Sequence, residues 1–349
     1  MKSLVFTYEG LTHTNIGDYI QSLAARQFAV RAGREVLYWN RDELDSYTGP
    51  EAKAIMNGWF THKPSNWPPS PLITPLFVSF HINSTAADKL LSDESIAYLR
   101  RHEPIGCRDR QTAKLLNAKG VDAYFSSCLT TTLGMTYGRK DAKRDKIYIV
   151  DPVHHVPETS GGIFGKLRFF MDYLLNFRTV NRYIRNLKSH NRYDLKFGRK
   201  YLHRFASITR SCIILRRILD KKDLANAIVL TQDHFNEEYP TNESRFERAE
   251  ELLRMYSEAR LVITSRIHCA LPSLGLGTPV VFLRNDDDGN VSSCRFDGLL
   301  DLLNVIRFRK NRITDSPLRL PLDVDSVRNS AEYRKYADSL IEKCTEFCR

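Results

Sequence analysis

The sequence predicts an α/β fold of two Rossmann-like domains facing each other across a cleft, and three observations carry that expectation. About the first 130 residues alternate short β-branched runs with helical stretches. The alternation restarts at Lys146–Val150. Leu261–Leu283, LVITSRIHCALPSLGLGTPVVFL, is a βαβ unit in itself: Leu261–Thr264 and Pro279–Leu283 read as buried strands, and Pro272 and the Gly275/Gly277 pair break the short helix between them. A chain of 349 residues exceeds one typical core, so two domains are the default. The divisions are 1–140, 141–325 with a basic insert at 162–222, and 326–349 as a closing helix that packs back on the first domain.

In order, Ser3–Thr7 reads as the first strand. The loop YEGLTHTNIGD then enters a helix with Ile20, Leu23, Ala24 and Phe28 on one face. Asn15, Gly17 and Asp18 sit at that strand-to-helix turn, where Gly17 permits close backbone approach and Asp18 can cap the helix. Glu35–Tyr38 and Ala52–Phe60 follow, then HKPSNWPPSP, whose Trp67 and four prolines suggest an ordered wall able to contact a substrate, or a plain connector. Pro75–Phe80 is a strand ending at His81, Asn83 and Ser84. Asp93–Arg101 is a helix, Pro104–Cys107 a strand, Arg108–Asp109–Arg110 the opening of helix Gln111–Ala118, and Val121–Phe125 another strand. Past Lys146–Val150 come Asp151 and His154/His155, the basic insert, strand Ala227–Leu230, helix Glu243–Tyr256 and the βαβ unit. Arg284–Gly289 is an acidic loop, and Asp297–Leu303 and Ala331–Phe347 read as helices.

Composition excludes several classes. Hydrophobic content is 42% and no run approaches the roughly 18 apolar residues of a membrane span. The start, MKSLVFTYEG, has no signal-peptide pattern. Seven scattered cysteines without a CxxC pair read as reduced thiols of a cytoplasmic protein, not a disulfide framework or zinc site. The net charge of +11 is concentrated: Lys166–Lys222 holds 16 Lys/Arg against Asp172, Asp194 and Asp220, a net of +13, which leaves −2 for the rest. That distribution argues against a general nucleic-acid coat. No GxGxxG follows the first strand and no GxxxxGK[ST] occurs, so neither dinucleotide nor P-loop chemistry is indicated. No metal site is expected, and Asp286–Asp288 reads as a solvated acidic turn.

Ser265, Arg266 and His268 fall where a strand ends and a helix begins. Ligands of open α/β sheets bind at carboxyl ends of strands, and helix N-termini favour anions. A cation and an imidazole there point to an anionic ligand; the alternative is that Arg266 caps a carboxyl terminus elsewhere and His268 is a core histidine.

Three segments resemble the polysaccharide pyruvyl transferase family: NIGD with its helix (Asn15–Ala25), CRDRQTAKLLNAKGVDAYFSSCLTTTL (Cys107–Leu133) and TSRIHCALPSLGLGTPVVFL (Thr264–Leu283). The resemblance implies a two-domain fold similar to GT-B glycosyltransferases. It implies transfer of the pyruvyl group of phosphoenolpyruvate to two hydroxyls of a sugar as a cyclic ketal, with no separate cofactor. It further implies phosphoenolpyruvate contacts for Arg108, Arg266, Ile267 and His268, with Arg266 and His268 catalytic and His268 the general acid of near-neutral pKa. Asn15, Asp18 and His81 are assigned to the acceptor side, and the acceptor of such enzymes can be linked to a polyprenyl diphosphate. In the basic insert, Arg178, Arg182, Arg185, Lys188 and Arg192 form one cationic stripe on a helix with an apolar side, which suggests peripheral docking on an anionic membrane from the cytoplasmic side or packing on the protein itself. The rival readings are a GT-B glycosyltransferase using a sugar nucleotide and a basic nucleic-acid-binding module; no nucleic-acid motif supports the second.

Overall fold

A computed structural model describes residues 1–10, 13–139, 141, 143–153, 162–191, 199–287 and 293–349. The chain is mixed α/β, with parallel sheets and many helices. Its first part runs β1 (Lys2–Thr7), β2 (His13–Asn15), α1 (Ile16–Arg31), β3 (Val36–Asn40), β4 (Ala52–Ile55), β5 (Gly58–Phe60), β6 (Ile73–Leu76) and β7 (Phe80–Ile82). It continues with α2 (Ala87–Leu90), α3 (Asp93–Arg100), β8 (Ile105–Cys107), α4 (Arg110–Ala118), β9 (Ala123–Phe125) and α5 (Gly134–Tyr137). The strands form two parallel sheets, β3-β1-β4-β6 and β5-β7-β8-β9. Both run through the same two interrupted strands, because β4 leads directly into β5 and β6 into β7. The first break is at Asn57, whose side chain donates to the Gln21 carbonyl at 2.9 Å, and at Gly58, whose φ of +116° needs glycine.

The second part runs β10 (Lys146–Val150), α6 (Gly162–His190), α7 (Arg199–Ile218), α8 (Lys221–Asn226), β11 (Ile228–Leu230), β12 (Asp233–Phe235), α9 (Asn242–Ser257), β13 (Ala259–Thr264) and α10 (Ile267–Gly275). It ends with β14 (Val280–Asn285), β15 (Asn304–Arg309), β16 (Arg312–Asp315) and α11 (Tyr333–Cys348). The sheet order is β11-β10-β13-β14-β15-β16, parallel except for the last hairpin. With the broken strands read as one each, both sheets place their second strand outside the first and the rest in sequence on the other side. The strand period of two divides this sheet between two cores: Ile147, Ile149, Leu261, Ile263, Val281 and Leu283 face α6 and α7, while Tyr148, Val150, Val262, Val280 and Phe282 face α9 and α10.

One apolar cluster runs from Leu4 to Cys348 and joins the two parts through α1, α9, α10 and α11. Polar links cross the same seam. β2 pairs antiparallel with β12, the Ile16 amide donates to the Gln232 carbonyl at 2.8 Å, and the Tyr19 hydroxyl donates to Asn242 at 2.8 Å while accepting from Arg245 at 3.1 Å. At the C-terminus Arg34 and Lys53 bond the Cys348 and Phe347 carbonyls.

Several expectations change. α1 is buried on nearly all sides rather than along one stripe, because it lies between β1 and α9/α10. Asp18 does not cap it; Asn15 does, accepting from the Gly17 amide at 3.1 Å. Trp67 is not a surface wall: it is 2% exposed and packs among Phe60, Phe77, Phe80 and Tyr98. Asp297–Leu303 is not an α-helix, since Gly298 takes φ +86° and a Cβ there would lie 2.9 Å from the Phe125 ring; only a 3-10 turn forms, at Leu300–Leu302. Asp286 and Asp287 are not a solvated turn: they pair with Arg307 at 3.1 Å and with Arg210. His154, His155, Arg192 and Asp288 lie outside the described residues.

Candidate active site

The strands of both sheets deliver their carboxyl ends to the seam. Arg108 follows β8, His81 lies in β7, Asp151 follows β10, Gln232 follows β11, Arg266 follows β13, and Arg284 and Asn285 end β14. Asn15, Gln232, Ser265–His268, Arg284, Asn285, Arg295 and Phe296 line one cavity there.

Arg266 is held in place from below. Its Nε meets Asp151 Oδ2 at 3.0 Å, its backbone amide donates to Thr264 Oγ1 at 2.9 Å, and the Ser265 hydroxyl donates to the Asp151 carbonyl at 2.6 Å. Asp151 Oδ2 also accepts the Gln232 amide at 3.0 Å, so one carboxylate ties three strand ends together. Arg266 is the N-cap residue of α10, and the amides of Ile267 and His268 belong to its first turn, where no intrahelical acceptor exists. His268 itself has φ −85° and ψ 16°, which kinks the helix start.

Arg108 is 3% exposed, and its Nε has no partner. A buried guanidinium without a partner is costly unless something anionic arrives. His268 Nε2 and Gln232 Oε1 are likewise buried and unpartnered. Burial, then the positive charges of Arg108, Arg295 and Arg266, hold the His268 pKa well below the ordinary imidazole value. This corrects the expectation of a near-neutral pKa: the imidazole is neutral. Burial and Arg108 likewise lower the His81 pKa to about 4, although its Nδ1 lies 2.5 Å from Asp109 Oδ2. Asp109 is anchored in turn as the N-cap of α4, accepting the Thr112 amide at 2.8 Å. His81 therefore stands in the electrostatic group of Arg108 and His268.

Asp18 is buried, and burial raises its pKa against the pull of Arg41, His62, Arg108 and Arg266; its Oδ1 accepts Gln21 Nε2 at 3.0 Å. Gly17 lies tight against the site: a Cβ there would lie 3.0 Å from Gln232 Oε1 and 3.1 Å from both Asn15 Oδ1 and His268 Cβ. Sequence reasoning missed two residues. Arg295, in the short turn Ser293–Phe296, has its pKa lowered to about 10 by burial and by Arg108 and Arg266, which places a third guanidinium in the group. Asp151 was visible at a strand end but carried no role. Among the described residues no group of three or more His, Cys, Asp or Glu is placed to hold a metal ion.

Three arginines, two imidazoles of lowered pKa and a helix N-terminus thus meet at the seam of a mixed α/β protein with parallel sheets. The match to the model of the polysaccharide pyruvyl transferase family, over residues 15–287, is decisive for the class: the chain belongs to that family and is a transferase of polysaccharide biosynthesis. No curated protein matches it. A solved structure of a functionally uncharacterized protein from Klebsiella pneumoniae subsp. pneumoniae aligns over 84% of this chain and 87% of its own, at 10% identity and a TM-score of 0.42.

Proposed function

We propose that the protein is a ketal pyruvyltransferase that uses phosphoenolpyruvate as donor and two hydroxyls of a sugar as acceptor, in a two-domain arrangement of GT-B type. The observation that carries the reading is the convergence of Arg108, Arg266 and Arg295 on a buried imidazole whose Nε2 has no partner. Phosphoenolpyruvate brings a carboxylate and a phosphate to one small molecule, and fork-shaped guanidiniums match both. Arg266, with the amides of Ile267 and His268, takes one anionic group; Arg108 and Arg295 take the other.

In the reaction one sugar hydroxyl adds to C2 while a proton reaches the vinyl carbon, which becomes the methyl group. The C–O bond to phosphate breaks with its electrons, the second hydroxyl adds to the same carbon, and its proton leaves with the phosphate. Neutral His268 is suited to accept the first hydroxyl proton. Donor charge between the arginines offsets the field that lowers its pKa, so the imidazolium then becomes accessible as the donor to the vinyl carbon. Asp18, with Asn15 near it in the chain, holds its proton to higher pH than an ordinary carboxyl against the pull of Arg41, His62, Arg108 and Arg266, and we assign the two residues to the acceptor.

The test is thermal shift with phosphoenolpyruvate and with nucleotide sugars, followed by phosphate release in the presence of candidate acceptor sugars. Phosphoenolpyruvate at a hundredfold excess over Kd adds about 2.7 kcal/mol of stability. Arg266→Ala removes most of that shift, and His268→Ala keeps binding but lowers turnover about 100-fold or more. A shift with nucleotide sugars and none with phosphoenolpyruvate rejects the reading.

A further inference from the structure

We propose that the outer face of α6, with the cationic groove beside it, docks the protein on an anionic lipid bilayer. The two halves of α6 have different surroundings. Its C-terminal half is packed: Val180, Tyr183 and Leu187 are buried in the core under the second sheet, and the Asn186 side chain brackets β11, donating to the Ala227 carbonyl at 2.9 Å and accepting the Val229 amide at 2.8 Å. Its N-terminal half touches α7 on one side, where Phe169 and Tyr173 pack on Phe205. The other side carries Leu167, Phe170, Met171, Leu174, Leu175 and Phe177, exposed between 46% and 73%. These are six of the nine exposed large hydrophobic residues among the described ones, gathered within three turns. Single exposed hydrophobics need no explanation; a contiguous set does.

Charge completes the surface. On a helix of 100° per residue, Arg178, Arg182, Arg185 and Lys188 continue the face that Leu167, Phe170, Met171 and Leu174 begin, and all four are exposed. Alongside runs a groove of about 820 Å³ lined by Arg168, Arg216, Arg217, Arg309, Lys310 and Arg312, whose one acid, Asp172, is already bonded by Asn311 at 2.9 Å. Apolar side chains among cations are what a bilayer interface with anionic headgroups accommodates. Nucleic acid would use the arginines but leave the leucines and methionine in water. A second copy packed on this face would bring like charges together.

The face is also tied to the seam. α7, which carries Phe205, contributes Ser207, whose hydroxyl donates to the Val153 carbonyl, and Arg210, whose guanidinium stacks on Phe308 at 5.6 Å; Val153 and Phe308 line the active-site cavity. None of the described helices is long and apolar enough to cross a membrane, so the contact proposed is peripheral.

The experiment is co-sedimentation of the full chain with phosphatidylcholine vesicles, with and without phosphatidylglycerol, at low and high salt. Binding to the mixed vesicles only, weakened by salt, is expected. Leu174→Glu with Leu175→Glu, both at exposed positions, should weaken it at least about tenfold, and Arg309→Ala or Arg312→Ala about fivefold each. Unchanged urea unfolding confirms that these variants fold. Equal binding to both vesicle types, no binding at low salt, or full binding by the double leucine variant overturns the proposal. So does binding of a single-stranded oligonucleotide without vesicle binding, or a dimer in sedimentation velocity that the leucine substitutions dissociate.

Discussion

Replacing Gly17 by alanine places one methyl group where α1 meets α10, and the outcome separates a structural glycine from one that sets the catalytic imidazole. The new Cβ would stand 3.0 Å from Gln232 Oε1 and 3.1 Å from Asn15 Oδ1 and His268 Cβ. Alanine gains up to about 1 kcal/mol of helix propensity over glycine and about 0.8 kcal/mol for burying a methyl group. Overpacking a tight site costs about 1–3 kcal/mol. The net effect on stability is small, about 1 kcal/mol in either direction. The geometry cannot absorb the methyl for nothing, however. Gln232 is fixed by bonds to the Tyr256 hydroxyl at 3.3 Å and the His268 carbonyl at 3.1 Å, and Asn15 is fixed as the helix cap. His268 is then the group that moves, by about 0.4 Å. If a 1 Å misplacement costs about 100-fold, this displacement costs about 6-fold in kcat/KM for phosphoenolpyruvate. Phosphate release and urea unfolding are measured on the same preparation. An unchanged kcat/KM would refute the idea that this contact positions His268, and so would a loss of activity matched by gross unfolding.

Arg295→Met should raise KM for phosphoenolpyruvate about 10- to 100-fold with a smaller change in kcat, as loss of one charged hydrogen-bonding group implies, and steady-state kinetics check it. Gly275→Ala should cost about 3 kcal/mol or more in urea unfolding, because its Cβ would collide with the Thr131 carbonyl at a backbone-to-backbone contact between the two parts; a loss under 1 kcal/mol contradicts that contact. Stability should fall as pH drops from about 6.5 toward 4: folding lowers the His81 pKa to about 4, so the folded state binds fewer protons than the unfolded state across that window, for at most about 3 kcal/mol. His81→Gln should flatten the unfolding profile over that window, and a profile that keeps its slope assigns the acid sensitivity elsewhere.

The strands were legible because a β-branched run between turn residues has few alternatives, and Arg108, Arg266 and His268 were legible because they stand one, two and four residues past such a run. Arg295 was not, since it sits in an irregular turn with no periodicity of its own. Its signal was weaker: a cation ten residues past the strand Val280–Asn285. Asp297–Leu303 failed because leucines at helical spacing outweighed Gly298, whose backbone is left-handed and whose missing side chain leaves room for the Phe125 ring, remote in sequence. Trp67 failed because a proline-rich loop composition says nothing about one large side chain that the loop itself buries. The basic insert was ambiguous in sequence between self-packing and an outer surface. In the structure it does both, in different halves of α6, a division that depends on where β11 and α7 end beneath it.

Burial first, and then the charges of Arg108, Arg295 and Arg266, keep His268 neutral. Three guanidiniums near one imidazole disfavour its protonation, and the seam around them is held by a shared core and by glycine-to-backbone contact at Gly134 and Gly275. Relief comes from an incoming anion, and the relief grows with the anion's charge. A simple carboxylate such as pyruvate answers one guanidinium and leaves the imidazole field largely in place. On the function proposed above, phosphoenolpyruvate answers the arginines of the seam at once and offsets the part of the His268 pKa depression that their charges cause. On that reading one binding event both favours the multiply charged donor and brings His268 closer to the protonated form its chemistry requires.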